Sequence, residues 1–150
     1  MSASFVLIVL LACCALALGM SVKRIPEGQV YTLRRMGHAS PRLLKPGTHW
    51  IWPVIDQVAH RISLGGHALP LDSDGSTPSG TVFWQVLEPE RADAIIEQAE
   101  SMIREHVRRH AAALPQADPV QRNAALKQHL NQALTAHGIL VTRVRLNDEA

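Results

Sequence analysis

Cysteine is almost missing from this 150-residue chain, and the only two, Cys13 and Cys14, stand side by side near its start. No disulfide and no cysteine-ligated zinc site can therefore be assembled downstream, and thiol usage does not reveal the redox compartment. The pair reads as small, soft residues filling an apolar helix, with acylation of a membrane cysteine as the alternative. Aromatic residues are also scarce, at 4% of the chain, which leaves little on which to stack bases. The net charge is +2 and the isoelectric point about 8.8. That small excess gathers beside the N-terminal apolar segment rather than along a stripe, so nucleic acid is not an expected partner.

Chemistry-bearing motifs are equally thin. Gly65-Gly66 and Gly75 stand in neither a GxxxxGK[ST] nor a strand–GxGxxG–helix context, so no phosphate loop is expected. Serines cluster only in a polar loop and form no G-x-S-x-G elbow. His106-Val-Arg-Arg-His110 places two imidazoles one helical turn apart, a spacing that metals use. The zincin pattern requires glutamate directly after the first histidine, where Val107 stands, and the spacing indicates no third ligand. The pair is read as two histidines on or bordering a polar helix face. No catalytic, cofactor-binding or metal-ligating residues are assigned, and no enzymatic activity is expected.

What the chain does have is an uninterrupted apolar opening. Met1 to Val22 carries no charged side chain, and the run ends abruptly at Lys23-Arg24. About 20 apolar residues in a helix rising ~1.5 Å each cover the ~30 Å hydrocarbon core of a bilayer. Residues 1–22 are therefore read as a transmembrane anchor. Ala15-Leu16-Ala17 offers a cleavage pattern and Leu10-Leu11-Ala12-Cys13 a lipobox-like one. Both processed alternatives lack the positive n-region that normally precedes such a run. Lys23, Arg24, Arg34 and Arg35 follow the segment, with Glu27 the only acid among them. Positive charge is retained on the cytoplasmic side, so a single-pass topology with a cytoplasmic domain is expected.

The remainder is long enough for one domain and divides at about Ser73 into a strand-rich part and a helical part. Gln29–Arg35 alternates as a strand broken by Gly37, Lys45-Pro46-Gly47 is a turn, and His49–Trp52 is a short strand stopped by Pro53. Val58 to Leu64 alternates Val58, His60, Ile62 and Leu64 against Ala59, Arg61 and Ser63, a half-buried strand. Asp72 to Gly80 is a polar loop and Thr81–Val86 another strand. Pro89 opens a helix whose stripe includes Ala92, Ile95, Ile96, Ala99, Ile103 and Val107, continuing to Pro115. Asp118-Pro119 starts a second helix, with Leu126, Leu130, Ala133 and Leu134 turned inward and Gly138 closing it. Ile139–Leu146 is a final strand, with Ile139, Val141 and Arg143 on one face and Leu140, Thr142 and Val144 on the other. Strands, two helices and a last strand make an α+β domain.

Several of these pieces carry a resemblance in one order: Ile25 to Tyr31, Arg34 to Gly37, Leu44 to His49, Trp52 to Asp56, Val86 to Ala92 and Gly138 to Val144. Together, behind an apolar segment, they resemble the stomatin/prohibitin/flotillin family, whose shared unit is the SPFH or band 7 domain. The likeness spans 23–148. It implies short antiparallel strands, two amphipathic helices and a final strand following a membrane segment. It also implies a non-enzymatic scaffold or regulator of membrane protein complexes, organising the membrane or modulating a membrane protease. The partners implied are the lipid bilayer, membrane proteins and further copies of the chain, with no cofactor. The strand region is shorter than the family's and no sustained heptad follows it, so a short member is expected. The competing function class is a small metal-binding or peptidase-like membrane-associated enzyme. Trp50 and Trp52 are amphipathic rings suited either to headgroup level or to a small β core. Asp56 reads as a turn or hydrogen-bonding residue.

Overall fold

In a computed structural model, described over residues 3–37, 40–52, 55–73, 79–111 and 118–147, the chain forms two compact units, Met1–Arg61 and Ile62–Ala150. The expected breaks at Pro53 and Pro115, and the centre of the Asp72–Gly80 loop, lie outside the described residues. The architecture is mixed α+β, with an N-terminal apolar helix and small antiparallel sheets. The boundary falls at Arg61, earlier than the composition change near Ser73.

The first unit begins with α1 (Ala3–Ser21), and β1 (Val22–Ile25) follows with no intervening residue. Ser21 terminates the helix by turning its hydroxyl back to the Ala17 carbonyl at 2.7 Å, while its own carbonyl accepts from the Ile51 N–H at 2.7 Å. Ile51 immediately follows β4 (Gly47–Trp50), which pairs antiparallel with β1, Val22 opposite Trp50 and Ile25 opposite Gly47. The helix end is thus stitched to a two-stranded ribbon. A three-stranded sheet has β2 (Gln29–Arg35) between β3 (Arg42–Leu44) and β5 (Asp56–Ser63). Ile25, Leu33, Leu44 and Ile51 form a small core with Tyr31 packed against it. Arg61 lies 5.5 Å from the centre of the Tyr31 ring, within reach of its negative face.

The expected strand at His49–Trp52 stops at Trp50, and of its apolar residues only Ile51 is buried. In β5 the predicted alternation is kept by His60 and Ile62 but not by Val58, which is exposed.

The second unit is a sheet of β6 (His67–Leu71), β7 (Gly80–Val86) and β8 (Ile139–Leu146), in that order and antiparallel, with α3 (Ala99–Ala111) and α4 (Pro119–Leu134) packed around its core. Leu126, Leu130 and Leu134 are completely buried along one stripe of α4, each contributing about 1.5–3 kcal/mol of transfer free energy. Asp118 caps α4 by accepting from the Val120 N–H at 3.3 Å, as the Asp-Pro start predicts.

The first predicted helix is not continuous. A single turn, α2 (Pro89–Ala92), gives way at Ile95, whose φ of −124° and ψ of 1° leave the helical region. A 3-10 turn over Ile96–Gln98 then leads into α3. Adjacent β-branched residues are stiff at χ1 and support a helix poorly, and the break falls at Ile95-Ile96. The buried stripe nevertheless survives through Ala92, Ala99, Ile103 and Val107.

The final strand also departs from simple alternation. Phe83 faces Arg143 while Trp84 faces Val141, so Thr142 is the extra residue of a bulge, its hydroxyl bonded to the Phe83 carbonyl at 3.1 Å. The bulge shifts the phase. Ile139 and Val141 are buried before it, Val144 and Leu146 after it. Asn131 of α4 clamps the outer edge of β8 at this place: its amide donates to the Val141 carbonyl (3.1 Å) and accepts the Val141 N–H (2.7 Å). Asn123, two turns earlier, accepts the Leu146 N–H at 3.2 Å. At the other edge β6 carries Pro70, which has no N–H, and the Pro70 carbonyl is met by the Arg104 guanidinium at 3.5 Å.

Gly138 joins helix to strand with φ 72° and ψ 17°, the left-handed conformation that favours glycine. Its carbonyl accepts the Leu87 and Glu88 N–H groups at 2.9 and 3.1 Å, and a Cβ there would strike the Glu88 carbonyl. Gly138→Ala is expected to destabilise the second unit by about 2 kcal/mol or more, combining backbone strain with overlap. Gly65→Ala, where the new atom meets only the Ser63 hydroxyl at 3.5 Å, is expected to stay within about 0.5 kcal/mol. Chemical unfolding of the full chain in detergent, followed by the fluorescence of buried Trp84, distinguishes them.

Candidate functional site

The exposed apolar surface of the first unit runs along α1 and continues onto the ribbon that follows it. The window Ser4–Ser21 has a mean hydropathy of 2.5 and is only 6% buried, so the helix is long and apolar enough to cross a bilayer. A signal sequence passes the same test. Among the three tryptophans, Trp84 is 3% exposed in the second core, whereas Trp50 and Trp52 are each 59% exposed. Trp50 stands opposite Val22, itself exposed, so the two share one face of the β1–β4 ribbon. Met36 and Ile55 are exposed too, and their segments are joined by the Met36 N–H to Ile55 carbonyl bond of 3.1 Å. Lys23, Arg24, Arg34 and Arg35 are all solvent-facing. The core alternative for Trp50 and Trp52 is excluded by their exposure; that these positions face outward could not be read from residue type.

Beside this patch lies a pocket of about 310 Å³ whose walls include Arg35, Arg42, Thr48 and Trp50. Asp56 fixes one side of it. Its carboxylate accepts from Arg35 Nε at 2.8 Å and Arg35 Nη2 at 3.2 Å, and the Trp52 N–H reaches Oδ2 at 3.3 Å. Asp56 is therefore the hydrogen-bonding residue that the sequence suggests. The Arg35 fork holds its carboxyl below the usual range, against the opposing effect of burial; the Trp52 N–H and the Arg42 charge reinforce Arg35. The His49 ring donates from Nε2 to the Lys45 carbonyl at 2.8 Å, closing the turn through Lys45-Pro46-Gly47.

The histidine pair behaves differently from a spaced metal motif. On α3 the rings of His106 and His110 lie parallel, with centroids 6.3 Å apart and planes 5° apart. The second helix adds a third ring that sequence spacing did not indicate: His129 stacks on His110 at 5.0 Å and 3°. The three rings lie in nearly parallel planes, and among the described residues no three His, Cys, Asp or Glu side chains form a group that could hold a metal ion. Burial pushes the His106 pKa below its ordinary value; Arg109 and His110 act in the same direction, Glu105 opposes them, and His137 adds a little. Glu105 is itself ion-paired with Arg108 and Arg109.

A depressed histidine pKa means that the unfolded chain binds the proton more readily than the folded one. The stabilising contribution is complete above the ordinary value of 6.5 and is lost as pH falls through the lowered folded value. The thermal midpoint of the second unit is accordingly expected to drop on acidification below pH ~6.5. His106→Asn is expected to flatten that drop, measured by calorimetry at matched ionic strength. An unchanged slope would show that His106 does not carry it.

No protein-family model matches the chain. A similarity exists to an uncharacterized protein of Schizosaccharomyces pombe, 27% identical over 143 residues, covering 85% of this chain and 40% of that protein. The chain thus spans about two fifths of the length of the relative it matches.

Proposed function

We propose that this chain is a membrane-anchored, non-enzymatic scaffold of the stomatin/prohibitin/flotillin kind. In this reading α1 crosses the bilayer and the first unit rests on its surface. The observation that carries it is the outward exposure of Trp50 and Trp52 next to the end of an apolar helix. Indole rings favour the headgroup level, where an apolar body and a polar N–H are both accommodated. The Ser21–Ile51 hydrogen bond supports the same reading, because it leaves no slack between helix and ribbon. The tryptophans are thereby kept within a few residues of the helix exit. Lys23, Arg24, Arg34 and Arg35 would add attraction to anionic headgroups of about 1 kcal/mol each near the surface. Under the positive-inside rule the same four cations favour a cytoplasmic domain.

The role follows from the family likeness together with these features: the domain holds other membrane proteins, a membrane protease among them, in one neighbourhood, and self-association would multiply the contacts. The stacked histidines join α3 to α4 through ring contact between His110 and His129.

Quenching by brominated lipids tests the placement. In bilayers containing the full chain, emission from Trp50 and Trp52 is expected to be quenched most strongly by bromines near the glycerol level. The Trp50→Phe/Trp52→Phe double variant, retaining Trp84, is expected to lose nearly all quenching. Equal quenching of both proteins would remove the surface-seated reading. A reporter fused after Ala150 is expected to be active in the cytoplasm, and extracellular activity would reverse the orientation.

A further inference from the structure

The pocket beside Trp50 has a chemistry that the scaffold role does not use. Its floor is apolar, formed by Leu33 and Leu44, each 5% exposed, and its rim carries guanidinium and hydroxyl groups. Register explains why the cations meet. Leu33 of β2 pairs directly with Arg42 of β3. Arg35, two residues beyond Leu33, therefore lies on the same face, diagonal to Arg42. From β4, Thr48 and Trp50 share a face by the same period and close the opposite wall.

Charge within the pocket is unbalanced. Among the described lining residues Asp56 is the only acid, and both its carboxylate oxygens are already engaged by the Arg35 fork and the Trp52 N–H. Arg42 has no carboxylate of its own among the described residues lining the pocket. Two guanidiniums thus share one carboxylate, which leaves the described lining with a net positive charge, while Asp56 holds the Arg35 guanidinium in place. Arginine presents its donors in a rigid planar fork suited to carboxylate and phosphate oxygens. The Thr48 and Ser40 hydroxyls, also on the lining, add neutral donors. A carboxylate ligand would offer two oxygens to these groups, whereas a phosphate offers enough for both arginines and a hydroxyl.

We infer that this pocket binds a phosphate group, with Arg42 and Arg35 as its cationic contacts, Thr48 as a hydroxyl donor and Asp56 as the residue positioning Arg35. The phosphate belongs either to a phospholipid headgroup or to a free phosphate in solution, and the chemistry of recognition is shared. The lipid source rests on the surface-seated reading given above, since only then does the pocket lie at headgroup depth beside Trp50.

Two measurements on the full chain separate these cases. In the first, the protein is reconstituted into nanodiscs of phosphatidylcholine with or without phosphatidic acid, and retained lipid is counted by native mass spectrometry. Preferential retention of phosphatidic acid is expected, reduced about tenfold by Arg42→Gln, the effect of losing one charge-assisted hydrogen bond. Arg42→Lys, which keeps the charge but not the fork, is expected to fall between. Arg34→Gln, outside the pocket lining and equally cationic, is expected to change retention less than twofold. In the second, inorganic phosphate is titrated into the chain in zwitterionic detergent while the Nε–H resonances of Arg35 and Arg42 are followed. Saturable shifts without a phosphatidic acid preference would support the pocket and assign the ligand as free phosphate. Failure of the chain to enter nanodiscs would defeat the membrane reading, yet the titration would still judge the pocket. Equal lipid retention by Arg42→Gln and Arg34→Gln, together with unmoved arginine resonances, would overturn the inference.

Discussion

The hydrogen bond from the Ile51 N–H to the Ser21 carbonyl is the constraint on which the first unit depends. A helix end has unsatisfied carbonyls that must find donors. Here one of them finds its donor in the residue just after β4, while the Ser21 hydroxyl returns to Ala17. Chain direction therefore changes from helix to strand without a linker, and the β1–β4 register is set from its first pair. The positions of Trp50 and Val22 on one face follow from that register. So does the wall that Thr48 contributes to the pocket.

The second unit is organised around a comparable junction. The Gly138 carbonyl gathers two N–H groups from Leu87 and Glu88, tying the exit of β7 to the entry of β8. Only a residue without a Cβ fits, because the backbone is left-handed there and Glu88 is close. From this point β8 runs beside β7 until the bulge at Thr142, where Asn131 supplies the donor and acceptor that Val141 needs on its other side. Packing of α4 and alignment of the sheet are thereby one problem rather than two.

Much of the fold was legible because local chemistry and tertiary demand agree. Asp118-Pro119 starts a helix, Gly138 ends the following 3-10 turn, and β2 and β8 occupy the stretches that their alternation and flanking breaks indicate. What escaped detection depends on partners distant in sequence. The bulge in β8 needs the register with β7, and residue type alone cannot state it. Strands β1 and β3 are short and exist by virtue of pairing with β4 and β2. The break at Ile95 is invisible to a hydrophobic stripe that remains in phase on either side. At the candidate site, Asp56 was recognisable as a hydrogen-bonding residue, but its partner Arg35 is 21 residues away and Arg42 arrives through β3. The third histidine of the stack, His129, comes from another helix altogether.

The two margins of the β6-β7-β8 sheet have a consequence for how this chain can meet its neighbours. A sheet grows when an edge offers free N–H and carbonyl groups to an incoming strand. On one side the Asn131 and Asn123 amides already occupy that ladder, and on the other Pro70 withholds a donor while Arg104 takes its carbonyl. Strand addition, the usual route to domain-swapped aggregates and fibres, is thus obstructed at both ends. Contacts of the second unit with other proteins would then favour side-chain surfaces, which can release, over intermolecular sheets, which do not.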